Sequence, residues 1–275
     1  MVIVHATPRK VAVAGATGRV GRHVVGILAE RGHDVVAISR SRGVDVFSGD
    51  GLAEALDGVS VVIVVATGPS PEQDAATTFF TTAARNLHDA GQRAGVERIV
   101  VVSIIGCDLY SGGYNAAKVA HEEATLAGSI PARVLRAAQF HEFVGQLLDW
   151  GRRGDVSYLP NMRTQLVAAR TVAEALVDLA GDESPVPADR ALIPEIAGPR
   201  EESLVVMARL LAEHRGDALR IEEVTPTDSD GELSAGGALL PSPHAVLAGP
   251  TFAQWLDGTG RGRGEQMSEP TLDAE

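Results

Sequence analysis

The stretch that most narrows what this chain can fold into lies near its start, where Val11 to Gly21 reads VAVAGATGRVG. A short apolar run with strand character enters three glycines spaced by three, Gly15, Gly18 and Gly21, and continues as an amphipathic helical pattern. Gly15 suits the tight turn at the strand's end, Gly18 lets backbone approach a pyrophosphate, and Gly21 lets the helix pack close to the sheet. The unpaired N–H groups of the helix's first turn then face an anion, with the helix dipole favouring it. Gly15, Thr17, Gly18, Arg19, Val20 and Gly21 are therefore candidate dinucleotide contacts, Arg19 through a phosphate. A glycine-rich turn without ligand is the bland alternative. The position of the loop, after the first strong strand and opening a βαβ unit of about 30 residues, favours nucleotide.

The rest of the first 150 residues repeats that theme. Short Val/Ile/Ala runs at Lys10 to Ala14, Asp34 to Ser39, Ser60 to Ala66, Arg98 to Ser103 and Ala132 to Arg136 alternate with helical patterns. The helical stretches are Arg19 to Arg31, Leu52 to Leu56, Gln73 to Ala94 and Tyr114 to Ala127. Strands buried on both faces with helical crossovers make a parallel α/β sheet. The expected fold is a Rossmann-type doubly wound parallel sheet over residues 1–150, with a smaller C-terminal α/β substrate lobe over 151–257 interleaved with the core. Within that lobe Arg163 to Ala169 and Ala191 to Ala197 read as strands, Thr171 to Ala180 as a helix capped by Thr171, Glu201 to His214 as a helix, and Thr251 to Leu256 as a short docking helix. Residues 258–275, Gly-rich and polar, read as a disordered tail.

Composition bounds the function classes. With 275 residues, 45% hydrophobic and only 4% aromatic, the core is built from aliphatic side chains. The net charge of −12 argues against nucleic acid or an anionic membrane as partner. Most of that charge falls after residue 160, leaving the glycine-loop half near neutral. One cysteine, Cys107, cannot form an intramolecular disulfide, and no apolar run reaches membrane length. The expectation is a cytoplasmic protein with a small-molecule substrate. Oligomeric state, a homo-oligomer included, stays open.

The second strand ends in Ser39, Arg40, Ser41 and Arg42, where an acid would be expected for the adenosine ribose hydroxyls of NAD(H). An arginine fork with two hydroxyls instead suits a 2′-phosphate, so the residues point to NADP(H) over NAD(H). Asp50 and the Ala66-Thr67-Gly68 end of the third strand fall where adenine and pyrophosphate would lie, and Asp50 could equally cap the helix from Leu52.

Three tyrosines and two lysines make a Lys four residues after a Tyr an uncommon coincidence, yet Tyr114-Asn115-Ala116-Ala117-Lys118 has that spacing. Residues i and i+4 share a helix face. An ammonium beside a phenol favours phenolate, so Tyr114 could serve as general acid/base with Lys118 as its electrostatic partner and a ligand of the nicotinamide ribose.

Together GATGRVG, the basic end of the second strand and YNAAK resemble the short-chain dehydrogenase/reductase superfamily, and within it the atypical, NmrA-like NAD(P)-binding branch. That resemblance implies a carbonyl-orienting role for Ser103 in VVSIIG, though its spacing to Tyr114 is short for the family. It also assigns Arg136 to Phe143 to the nicotinamide end, where backbone near Ala138 would meet the carboxamide; the family's frequent Pro-Gly is absent there. His141-Glu142 lacks the second histidine of a zinc motif, so no metal site is expected.

The reading at this point is an NADP(H)-dependent oxidoreductase passing hydride between nicotinamide and a small carbonyl, enone or quinone. Two rivals stand beside it: an NmrA-like NADP(H) sensor without chemistry, and an NAD-dependent epimerase or dehydratase that holds its cofactor tightly.

Overall fold

The computed structural model describes residues 8–184, 193–225 and 228–264, the side chains of 259–264 excepted. The first half runs β1 (Lys10–Ala14), α1 (Gly21–Glu30), β2 (Asp34–Ile38), α2 (Leu52–Ala55), β3 (Val61–Val64), α3 (Gln73–Ala94), β4 (Arg98–Ile104), α4 (Gly113–Leu126) and β5 (Ala132–Ala137). The second half adds α5 (His141–Gly151), β6 (Arg152–Arg153), β7 (Val156–Pro160), β8 (Arg163–Thr164), α6 (Ala169–Gly181), β9 (Glu195–Ala197), β10 (Glu202–Ser203), α7 (Leu204–Arg215), β11 (Arg220–Val224), α8 (Ser229–Gly236), β12 (Val246–Leu247) and α9 (Phe252–Gly264).

Seven parallel strands form the main sheet in the order β2-β1-β3-β4-β5-β9-β12. Period-two side chains explain why the central strands β1 and β3 are apolar on both faces. Val11, Val13, Val61 and Ile63 face one core with α1 and α6, whereas Ala12, Ala14, Val62 and Val64 face the other with α2 and α3. The protein thus has the Rossmann-type parallel sheet with helices on both faces and the smaller C-terminal α/β lobe expected from its pattern. From β1 the chain crosses one way to β2 and then the other way to β3, so the topological switch point, where such sheets bind ligands, lies beyond the carboxyl ends of β1 and β3.

The lobe departs from its sequence pattern in detail. Of Arg163 to Ala169 only Arg163–Thr164 is a strand, paired antiparallel with Glu202–Ser203, while Val167 makes a single bridge to Phe140. That pairing also takes Glu202 and Ser203 out of the helix expected from Glu201, so α7 starts at Leu204. Helix α6 starts at Ala169 rather than after Thr171, because the Glu142 carboxylate of α5 accepts the Ala169 N–H at 3.2 Å. Of Ala191 to Ala197, Glu195–Ala197 is strand and 191–192 lie outside the described residues. The lobe's core gathers Val144 and Leu148 of α5, Leu159 of β7, Leu211 of α7 and Phe252 of α9. Of the expected tail, 258–264 continue α9 and 265–275 lie outside the described residues.

Candidate functional site

The glycine loop is dictated by backbone proximity. Gly15 sits at φ +86°, and a Cβ there would stand 2.7 Å from the Ala66 backbone of the neighbouring strand end. At Gly21 a Cβ would come 2.0 Å from the Gly15 carbonyl oxygen. The Gly18 N–H closes the turn on Gly15 O at 2.9 Å. Among the described residues the N–H groups of Thr17, Arg19 and Val20 donate to no protein acceptor, which is what an anion cradle requires. Val20 and Gly21 are buried beneath the loop, and the Arg19 guanidinium reaches Gln146 Oε1 of α5 at 3.2 Å, tying the loop to the lobe.

A cleft of about 340 Å³ opens at this switch point, lined by Gly15, Thr17 and Gly18 from the first strand's end, Ser39, Arg40 and Ser41 from the second, and Ala66 and Thr67 from the third. These three predicted groups therefore meet at one place. Residues 40–42 form a short 3₁₀ turn, with Ser39 and Ser41 hydroxyls 3.0 Å apart. The sequence reading missed Asp45, which lines the same cleft and accepts the Phe47 N–H at 2.8 Å. Its signal was present: an acid some 20 residues past the glycine loop is the mark of a ribose partner, displaced here from the strand end into the following turn. Asp50 does not line the cleft; its carboxylate accepts from the Ser48 hydroxyl at 2.7 Å, and α2 begins without a side-chain cap.

Tyr114 and Lys118 lie on α4 as the spacing requires and both pack against Phe80, but no hydrogen bond joins phenol and ammonium. The Tyr114 ring packs edge-on to Phe80 of α3 with centroids 5.8 Å apart, and burial pushes its phenol up from the usual value. The Lys118 ammonium, 5% exposed, donates to Val102 O of β4 at 2.8 Å, lies 3.0 Å from His121 Nδ1 and sits 4.6 Å above the Phe80 ring. Burial draws its pKa down to about 8. The expected lowering of the tyrosine by the lysine is thus absent within the protein alone: burial dominates the phenol, and the ammonium is engaged by Val102 O and His121. Ser103 is buried at the end of β4 with its hydroxyl 3.8 Å from Cys107 Sγ. The thiol in turn donates to Glu122, whose two oxygens take a bidentate pair from Arg136 of β5 at 3.0 and 2.8 Å. Burial and the Glu122 charge push the Cys107 thiol up to about 11, so it is an inert structural group.

At the nicotinamide end implied by the resemblance, Ala138 is buried and its N–H is taken by Ile196 O at 2.9 Å. Gln139 Oε1 accepts from the Thr164 hydroxyl at 2.6 Å. His141 is fully buried between Phe252 and Trp255, 3.0 Å from Pro250 O, and burial lowers it to about 4. Among the described residues there is no cluster of metal-ligating side chains, and no helix is long and apolar enough to cross a membrane.

A family profile described as NAD(P)H-binding matches residues 15–129. No curated protein matches the sequence. The fold is shared with many solved structures. MoeE5 in complex with UDP-glucuronic acid and NAD is 20% identical, with TM-score 0.66 over 92% of this chain and 99% of that one. The Bordetella bronchiseptica enzyme WbmG in complex with NAD and UDP is 14% identical, TM-score 0.66, over 96% and 97%. UDP-N-acetylglucosamine 4-epimerase from Bacillus cereus is 17% identical, TM-score 0.67, over 95% and 99%.

These structures correct three expectations. Solved structures of this fold such as MoeE5 and WbmG hold NAD, which overturns NADP(H); the cleft itself is lined by Asp45 as well as Arg40, and a carboxylate there would repel a 2′-phosphate. Their kinship is with nucleotide-sugar enzymes, which overturns the NmrA-like branch and the sensor drawn from it. The reduction of a free carbonyl, enone or quinone by NADPH falls with them.

Proposed function

We propose that this chain is an NAD-dependent epimerase or dehydratase acting on a nucleotide-activated sugar. One observation carries the reading: the glycine cradle and the Asp45 carboxylate face one cleft at the switch point, in a fold whose solved relatives bind NAD and UDP-linked sugars. The residues fit the dinucleotide. The missing Cβ atoms of Gly15 and Gly21 leave the loop tight, the Thr17, Arg19 and Val20 amides await an anion, and Asp45 with Ser39 and Ser41 offers partners for ribose hydroxyls. Ala66 and Thr67 line the same cleft and Lys118 is the expected ribose contact, whereas Asp50 lies outside the cleft and the Ala138 N–H is already taken by Ile196 O.

When bound, NAD supplies a hydride acceptor that lets a sugar hydroxyl be oxidised and later restored without net redox change. Tyr114 takes the proton of that hydroxyl and returns it, and Ser103 donates to the same oxygen. Because burial holds the phenol protonated, Tyr114 depends on positive charge nearby to act as a base, and Lys118 on the same helix is the group able to supply it. Exclusion of water falls to the lobe, which the Arg19–Gln146 contact ties to the loop. A single buried cysteine suits a reducing, cytoplasmic setting.

The test is the dinucleotide released on denaturing the purified protein, together with turnover of a panel of UDP- and dTDP-hexoses. NAD and not NADP should be released, and Tyr114→Phe should cut turnover by about 10²- to 10⁴-fold while bound NAD stays the same. Released NADP, or a Tyr114→Phe protein as active as the parent, would sink the reading.

A further inference from the structure

Lys118 is an ammonium buried inside the protein, and such a charge needs acceptors around it. Two are within hydrogen-bond distance among the described residues, Val102 O at 2.8 Å and His121 Nδ1 at 3.0 Å. An ammonium only donates, so Nδ1 must accept and the imidazole proton must sit on Nε2. The His121 ring is held flat against Phe80, centroids 4.5 Å apart and planes 15° from parallel, and the same Phe80 face lies 4.6 Å from the ammonium. Phe80, His121 and Lys118 thus form one packed unit between α3 and α4.

We propose that His121 is a positioning residue for Lys118: its Nδ1 takes a hydrogen bond from the ammonium and, with Val102 O, holds that charge near the end of β4, one helical turn from Tyr114. The reading rests on the proposed role of Lys118 in the same site. No part of it follows from the Tyr-x-x-x-Lys spacing, since His121 lies one turn further along the helix.

The surroundings leave His121 that task. Burial and the Lys118 charge hold its pKa well below the ordinary histidine value, so it remains a neutral acceptor. The other ionisable groups facing Lys118 are Glu122 on its own helix, which favours the charged amine, and Cys107 on the turn after β4, which is a neutral thiol where the lysine titrates. Glu122, however, spends both oxygens on Arg136, and Phe80 from α3 contributes only its ring face. Removing the imidazole therefore leaves the ammonium one acceptor short, and the lysine gives up its proton more readily.

The chain has only two lysines, Lys10 and Lys118, so the full-length protein labelled with ε-¹³C-lysine gives two signals, assigned with Lys10→Arg. His121→Leu should lower the Lys118 titration midpoint by about one pH unit, a tenfold change in proton affinity, while His121→Asn, whose side-chain oxygen can replace Nδ1, keeps it near the parent value. The alkaline limb of turnover should move down by the same amount in His121→Leu with KM unchanged. A midpoint equal in parent and His121→Leu overturns the proposal. Should the leucine variant not fold, ¹⁵N shifts of the parent's His121 decide. An unprotonated, acceptor-type Nδ1 between about pH 5 and 8 supports the role, and a protonated Nδ1 overturns it. Because the lysine titration needs no substrate, failure of the sugar panel beside an intact midpoint shift refutes the functional reading alone.

Discussion

The glycine loop and the tyrosine helix carry the two clearest signals in this sequence, and they are built by different physics. In the loop, geometry is imposed by backbone: Gly15 and Gly21 stand where any Cβ would strike main-chain atoms that cannot move aside. On α4 the backbone sets only where Tyr114 and Lys118 begin. Their long side chains then follow local partners, the phenol toward Phe80 and the ammonium toward Val102 and His121. A glycine motif can be read almost directly into shape, whereas a side-chain motif is completed by residues elsewhere in the chain.

The largest expected effect attacks the side-chain construction. Glu122→Ala leaves the Arg136 guanidinium buried at the sheet with only the half-exposed Asp108 as ionic partner, and should cost about 3–5 kcal/mol in urea unfolding. A loss under 1 kcal/mol would mean that α4 does not depend on this network. Gly21→Ala attacks the backbone construction. It forces a Cβ onto the Gly15 carbonyl and should lower stability by about 3 kcal/mol with loss of measurable NAD binding by calorimetry. Retained affinity would show that the loop yields more readily than its packing suggests.

The smallest effect separates the lobe from both. His141 titrates near 4 in the folded chain against about 6.5 unfolded, so as pH falls the unfolded chain takes up its proton first. Stability present above pH 6.5 is lost as pH drops toward 4, about 2 kcal/mol between pH 7 and 5. His141→Gln should flatten that slope in thermal unfolding, and an unchanged slope would place the acid sensitivity elsewhere.

How far each part was legible follows from the same contrast. Strands β1 to β5 and helix α3 fall within a residue or two of their sequence patterns, because these strands are short runs made mostly of apolar residues and helices stop at glycines such as Gly32 and Gly95, both at positive φ. The cleft's glycines and the ends of three strands were readable for that reason. The lobe was not: β8 and β10 are two-residue pairings formed across nearly 40 residues of chain, and the start of α6 is set by Glu142 from another helix. Asp45 went unread because an arginine-rich strand end drew the cofactor argument, while the acid lay one turn on. The NADP(H) expectation failed there, by weighing one charge of the cleft without its neighbour.

By itself the sequence determined the parallel sheet, the tight glycine loop and the helix that carries Tyr114 and Lys118, since each is written in local periodicity or in glycines. Only the tertiary structure decided which charges share the cleft, where the lysine points, and that His121 and Phe80 hold it. Those outcomes depend on side chains from distant segments meeting in the folded chain, and no local pattern encodes such a meeting.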